Sequence, residues 1–276
     1  MKNFLFIGGD SFIARIISNF SARNYNIYRT TRRKLGCEKN TIYLDLSEPN
    51  SYINILNINY DAIFLFSGQS NIKECEKNSE SYRLNVVYTK LLFKFILDNF
   101  HSKIFFFSSS AVFSKNTIKK DEEASLCPDS RYGEHKAEVE SYLMSNSNVF
   151  IIRLTKLISI QSSIVNLFLN DNLEYIYSNL LICPISSLYL FNSIIQIINS
   201  QSTQRVIHLC NELDISYTSF FNKIELSYNI KRIVKSIKYN DITVNHNLTN
   251  KLTKINYDIF PEKISDFYSN LMSYEI

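Results

Sequence analysis

Short apolar runs alternate along this chain with longer segments in which apolar residues recur every three or four positions. The runs are Phe4 to Ile7, Asn26 to Arg29, Thr41 to Leu44, Ala62 to Phe66, Ile104 to Phe107, Val149 to Ile152 and Val206 to Leu209. Most are apolar on consecutive positions, the pattern of strands covered on both faces by helices. Phe12 to Phe20, Ser81 to Leu97 and Tyr132 to Met144 carry their apolar residues at helical intervals. The alternation predicts an α/β fold, a doubly wound parallel sheet. After Ile158, polar interruptions such as Gln161-Ser162-Ser163 and Asn170-Asp171-Asn172 break the rhythm and predict a smaller C-terminal lobe. His208 to Asn211 reads as a return to the sheet. We therefore expect a dinucleotide-binding domain over 1–157 with a return segment near 186–212, and a substrate-binding lobe made of 158–185 and 213–276.

Composition excludes more than it proposes. The 276 residues are 45% hydrophobic and 20% charged, the balance of a folded soluble chain. No apolar run approaches the length of a bilayer span, and the apolar start is broken at Gly8, Gly9 and Asp10. The expectation is a cytoplasmic protein without a membrane partner. A formal charge of +4 spread over many positions argues for no nucleic-acid partner. Five scattered cysteines (Cys37, Cys75, Cys127, Cys183, Cys210) fit free thiols in a reducing compartment. The histidines are equally scattered, so no metal site is expected.

Candidate chemistry begins at the N-terminus. In Phe4-Leu5-Phe6-Ile7-Gly8-Gly9-Asp10-Ser11-Phe12-Ile13-Ala14 a strand runs through a turn of small residues into a helix. Backbone N–H groups at the helix start, around Ser11, Phe12 and Ile13, together with the helix dipole, form a site for a pyrophosphate. Gly8 holds the first place of a glycine fingerprint, whereas Ser11 and Ala14 stand where glycines are usual; the bland alternative is a tight β-to-α turn. The second strand ends in Thr31-Arg32-Arg33-Lys34. Arginines at that place suit an adenosine 2′-phosphate, so NADP(H) is favoured over NAD(H), against a merely solvated basic loop. Asp45, followed by Leu46, could accept from an adenine amino group or cap the next turn.

Further on, Ile104 to Phe107 lead into Ser108-Ser109-Ser110-Ala111-Val112-Phe113, at a strand end where open α/β sheets bind ligands. Alone, such a serine cluster is a polar turn. Tyr132 and Lys136, four apart in Pro128-Asp129-Ser130-Arg131-Tyr132-Gly133-Glu134-His135-Lys136, fall on one helix face. An ammonium so placed is expected to lower the phenol's pKa and ready it for proton transfer to or from a carbonyl oxygen.

These stretches, in this order, resemble the extended short-chain dehydrogenases/reductases that act on nucleotide-linked sugars. The similarity rests on Gly8-x-x-Ser11-x-x-Ala14, Asp45-Leu46, Ser108-Ser109-x-x-Val112-Phe113, and Ser130-x-Tyr132-Gly133-x-x-Lys136 with Glu140 beyond, about half the chain. It implies a Rossmann domain with catalytic Ser109, Tyr132 as acid/base, and Lys136 binding the nicotinamide ribose and tuning the tyrosine. Ser67-Gly68 match the loop over the cofactor, and Asn85 a helix packed behind the site. The family's dehydratases carry an Asp-Glu pair where Ser110 and Ala111 stand here, so the resemblance implies a keto-sugar reductase with a nucleotide-sugar substrate, similar to the 4-keto reductases. A nucleotide-sugar epimerase with tightly bound NAD and a non-catalytic dinucleotide binder are the alternatives, and a homodimer through a helical bundle is possible. Phe113-Ser114 replaces the family's Tyr-Gly, and Thr155 to Ile158 replace its Tyr-Gly-Pro, so the sugar is not legible. His208, Cys183 and Tyr177 could line its pocket, though core packing suits each as well.

Overall fold

All seven runs pair as strands of one sheet: Phe4 to Ile7, Ala62 to Leu65, Ile104 to Phe107, Val149 to Ile152 and Val206 to Leu209 are buried at every position, whereas Asn26 to Arg29 and Thr41 to Tyr43, towards one edge, are mostly half-buried. The computed structural model describes residues 1–21, 24–34, 39–114, 120–228, 230–231, 234–237 and 259–273; Cys37 lies outside them. The strands are β1 (Lys2–Ile7), β2 (Tyr25–Thr31), β3 (Thr41–Tyr43), β4 (Ala62–Leu65), β5 (Lys103–Ser109), β6 (Val149–Leu154) and the strand Val206–Leu209. Their order is Val206–Leu209, β6, β5, β4, β1, β2, β3. The pairs β1 with β2, β1 with β4, β2 with β3 and β4 with β5 are parallel. β1 is central and reverses the strand order beside it, which puts a ligand crevice at its carboxyl end.

Strand geometry sorts the apolar residues by parity. One face is aromatic: the Phe64 ring stacks on Phe105 at 4.8 Å, Phe105 on Phe150 at 5.4 Å, and Phe66 on Phe107 at 4.6 Å. The other face carries Leu5, Ile7, Ile63, Leu65, Ile104, Phe106 and Ile151 in a cluster with Val86, Leu92, Phe93 and Ile96 of the covering helices.

The helices are α1 (Phe12–Ser21), α2 (Ile72–Lys77), α3 (Ser79–Tyr82), α4 (Thr89–Asn99) and α5 (Arg131–Leu143). The expected single helix from Ser81 to Leu97 is instead α3 and α4 joined by a π-helical turn, Arg83–Tyr88. Such turns often occur at functional sites. This one presents Asn85, discussed below.

The chain divides into two compact units, 1–112 with 126–153 and 198–207, and 113–125 with 154–197 and 208–276. The first therefore ends earlier than the expected 157, its return segment is shorter than 186–212, and Phe113–Ser125 belongs with the second. Nonlocal contacts explain that placement: Phe113 packs edge-on against His208 at 6.0 Å, and Glu122 accepts a bond from the His208 N–H at 3.4 Å. The second unit has its own core of Ile158, Val165, Phe168, Phe220, Phe221, Phe267 and Leu271. His208 and Cys183 are fully buried there as core positions, and Cys183 Sγ donates to the Asn211 carbonyl at 3.6 Å. Tyr177 is half-buried.

Candidate active site

The turn after β1 is tight because the backbone has to pass the loop after β4. Gly8 adopts φ +80, and a Cβ there would come within 2.7 Å of the Ser67 nitrogen, so a side chain is excluded on both conformational and steric grounds. Thr30, buried under the turn, fixes it twice: its Oγ1 accepts from Gly8 N–H and its carbonyl from Gly9 N–H, each at 3.0 Å. Ser11 departs from the usual glycine, and the structure gives the departure a purpose. Its Oγ accepts from the Ala14 N–H at 3.2 Å, an N-cap for α1.

Above the turn lies a cleft of about 370 Å³, lined by Ile7, Gly8, Asp10, Ser11, Thr30, Thr31, Arg32, Leu44, Leu46, Phe66, Ser67, Gly68, Gln69 and Leu84. Its size falls within the range of small-molecule sites. Of the residues expected at a cofactor, Gly8, Ser11, Thr31, Arg32, Leu46, Ser67 and Gly68 line it. Phe12, Ile13, Arg33, Asp45 and Lys136 do not. Asp45 Oδ1 instead accepts from the Ser47 N–H at 2.8 Å and the Ser47 hydroxyl at 2.7 Å, capping the next turn. Lys34 is turned towards Glu48 at 3.5 Å and Tyr43. The sequence reading missed Ile7, Asp10, Thr30, Leu44, Phe66, Gln69 and Leu84. Thr30 was visible as the residue preceding Thr31, and Asp10 as a charge inside the turn.

Asn85 shapes the cleft's loop from behind. Its Oδ1 accepts from the Gln69 N–H at 2.7 Å, its Nδ2 donates to the Gln69 carbonyl at 2.9 Å, and a Cβ on Gly68 would meet Oδ1 at 3.0 Å. The π-helical turn thus turns a buried amide towards the Ser67–Gln69 backbone. Asn85 Nδ2 also lies 3.4 Å from His135 Nδ1 on α5.

Ser109, Tyr132 and Lys136 come together where β5 ends and α5 begins. Ser130 caps α5 by accepting from the Gly133 N–H at 3.2 Å, and Glu76 Oε1 accepts from the Arg131 N–H at 2.8 Å. A Cβ on Gly133 would overlap the Ala111 carbonyl, so the glycine after Tyr132 lets the helix start press against the turn after β5. That approach allows a hydrogen bond between the Ser109 and Tyr132 side chains. Lys136 Nζ donates to the Phe107 carbonyl at 2.7 Å and lies 4.6 Å from the Phe106 ring and 6.0 Å from the Tyr132 ring. Phe107 stacks on Phe66 of the cleft wall, so the lysine's anchor and the cleft occupy adjacent strands.

The electrostatics differ from the expectation. Burial pushes the Tyr132 phenol up to about 12, with the Ser109 hydrogen bond pulling the other way. Burial pushes the Lys136 ammonium down to about 8, opposed by the nearby Glu140 carboxylate. The lysine's bond goes to a carbonyl, and desolvation outweighs any lowering of the phenol. Glu140 is itself held by Arg153 at the end of β6, through Nη2 at 2.8 Å and Nε at 3.1 Å, with both side chains almost fully buried.

A profile of the family described as NAD dependent epimerase/dehydratase matches residues 5–174. The chain belongs to that family. With it the chain is an NAD(P)-dependent oxidoreductase of the extended short-chain dehydrogenase/reductase type. No curated protein matches it. Among solved structures, it is similar to dTDP-4-dehydrorhamnose reductase from Bacillus anthracis in complex with NADP, at 16% identity over 98% of each chain and TM-score 0.83. UDP-glucose 4-epimerase from Thermotoga maritima with UDP-glucose matches at 13% identity over 98% of this chain and 96% of that one, TM-score 0.81. dTDP-glucose 4,6-dehydratase from Bacillus anthracis in complex with NAD matches at 15% identity over 100% and 97%, TM-score 0.79. Three chemistries share nearly one score, so these likenesses establish the fold and leave the reaction to the site.

The residues of this family member fit a dinucleotide. Gly8 brings the turn after β1 against the Ser67 loop with no side chain between them, and Ser67 Oγ, on the cleft lining, is buried without a hydrogen-bond partner among the described residues. No group of His, Cys, Asp or Glu there could hold a metal ion, and no described helix is long and apolar enough to cross a membrane.

Proposed function

We propose that this family member is an NADPH-dependent reductase of a nucleotide-linked 4-keto (deoxy)sugar, a cytoplasmic enzyme supplying a sugar for surface polysaccharide. The observation that carries the reading is the gathering of Ser109, Tyr132 and Lys136 at the end of β5, one strand from a cleft at the β1 turn with Arg32 among its lining residues. The bound nicotinamide supplies a hydride to the carbonyl carbon. Tyr132 gives its proton to the carbonyl oxygen, and Ser109 donates a hydrogen bond to the same atom. Lys136, anchored on the Phe107 carbonyl, places a positive charge on the side of the phenolate left behind and would hold the nicotinamide ribose when the coenzyme is bound. Burial keeps the proton on the Tyr132 phenol at neutral pH, the form in which it can donate. Ser110 and Ala111, in the place of an acid–base pair, weigh against a dehydratase. Exposed Val87, Leu91 and Tyr142 supply an apolar helical face of the kind that homodimer pairing needs.

The test is a panel of nucleotide-linked 4-keto sugars incubated with purified protein and NADPH, read by loss of NADPH absorbance. Reduction of at least one member is expected. A protein that reduces none and carries NAD through gel filtration is an epimerase. The pH profile is a separate check. Tyr132 stays protonated throughout, whereas Lys136 loses its proton as the pH climbs through about 8 and with it the charge that stabilises the phenolate. Turnover is therefore expected to be level on the acid side and to fall through that pH; a rise there would contradict the role given to Lys136.

A further inference from the structure

Asp10 sits inside the Gly8–Ser11 turn, and the roles assigned so far make no use of it. Its Oδ2 accepts a hydrogen bond from Thr31 Oγ1 at 2.8 Å, and both residues line the cleft together with Arg32. In dinucleotide folds an acid near the end of the second strand accepts from the adenosine ribose hydroxyls, while a cation nearby accommodates a 2′-phosphate. Here that strand end is Thr31-Arg32 and carries no acid. The carboxylate arrives from the turn instead, and the Thr31 hydroxyl hooks it to the strand end. The cations that follow do little to offset it: Lys34 is paired with Glu48, and Arg33 lies outside the cleft lining. One anion and one cation therefore meet at the place where the two coenzymes differ.

We infer that Asp10 is a specificity-determining residue at the adenosine 2′ position, accepting from a ribose hydroxyl and opposing the 2′-phosphate that Arg32 attracts. The inference rests on the dinucleotide reading above and refines it. A carboxylate facing a phosphate is a repulsive element of the kind that separates two close ligands. The cleft takes NADH as well as NADPH, and Asp10 keeps the preference for NADPH small.

The experiment uses the adenine halves alone, so that the nicotinamide end plays no part. Wild type, Asp10→Asn and Asp10→Ser are titrated by calorimetry with 2′,5′-ADP and with 5′-ADP. Both variants are expected to bind 2′,5′-ADP about tenfold tighter than wild type and 5′-ADP about threefold weaker, since repulsion and an acceptor are lost together. Arg32→Ala is expected to move the ratio the opposite way. Equal changes for the two ligands in both variants, or no change, would overturn the assignment of Asp10. A wild type that binds neither ligand defeats the dinucleotide reading itself, a result distinct from an unchanged ratio.

Discussion

Tyr132→Phe is expected to lower reductase turnover by about 10²–10⁴-fold, the usual worth of a positioned proton donor, while NADPH binding stays close to wild type. The substitution removes one hydroxyl and keeps the ring whose face lies 6.0 Å from Lys136 Nζ. Ser109 can still donate to the carbonyl oxygen, so residual activity measures what that bond and proximity supply. Single-turnover rates with a reducible keto sugar, set beside a fluorescence titration with NADPH, separate the two effects. Survival of turnover would mean that another group carries the proton. Loss of NADPH binding in parallel would mean that the tyrosine shapes the cofactor site instead of acting on the sugar.

Arg153→Met is expected to destabilise the protein by about 3–5 kcal/mol, because it leaves Glu140 as an uncompensated buried charge. Wild-type domains are stable by only about 5–15 kcal/mol, so the loss would be a large part of the whole. The guanidinium of Arg153, 4% exposed, makes two close bonds to a carboxylate that is 1% exposed. Replacing both partners, Arg153→Met with Glu140→Leu, is expected to recover most of the loss, since apolar groups of similar volume need no partner. Urea unfolding of wild type, single and double variants measures this directly. A single variant as stable as the wild type would show that water reaches Glu140. The pair also matters for the site, because it ties α5, which carries Tyr132 and Lys136, to β6 of the same sheet.

The strands were legible for a physical reason. A strand buried on both faces must be apolar at every position, and runs such as Phe4 to Ile7 and Ile104 to Phe107 state that locally, without reference to distant residues. The Tyr132–Lys136 spacing was legible in the same way, since four residues on a helix face one direction whatever packs around them. The π-helical turn at Arg83–Tyr88 was not, because Asn85 is drawn out of register by Gln69, sixteen residues away. Arg33 and Asp45 were placed at the cofactor from their order in the chain, yet Asp45 is used by Ser47 and Arg33 lies outside the cleft.

By itself, then, the amino-acid order determined a parallel α/β sheet, a tight β-to-α turn at Gly8 and a tyrosine and lysine on one helix face, each from periodicity or from the conformational freedom of single residues; that Ser109 joins them was implied by the family resemblance alone. Only the tertiary structure decided the protonation balance of Tyr132 and Lys136, the placing of Asp10 against Thr31, and the assignment of Phe113–Ser125 to the second unit. Those depend on desolvation and on contacts between residues far apart in the chain, and no local pattern encodes how deeply a group is buried or which distant partner it meets.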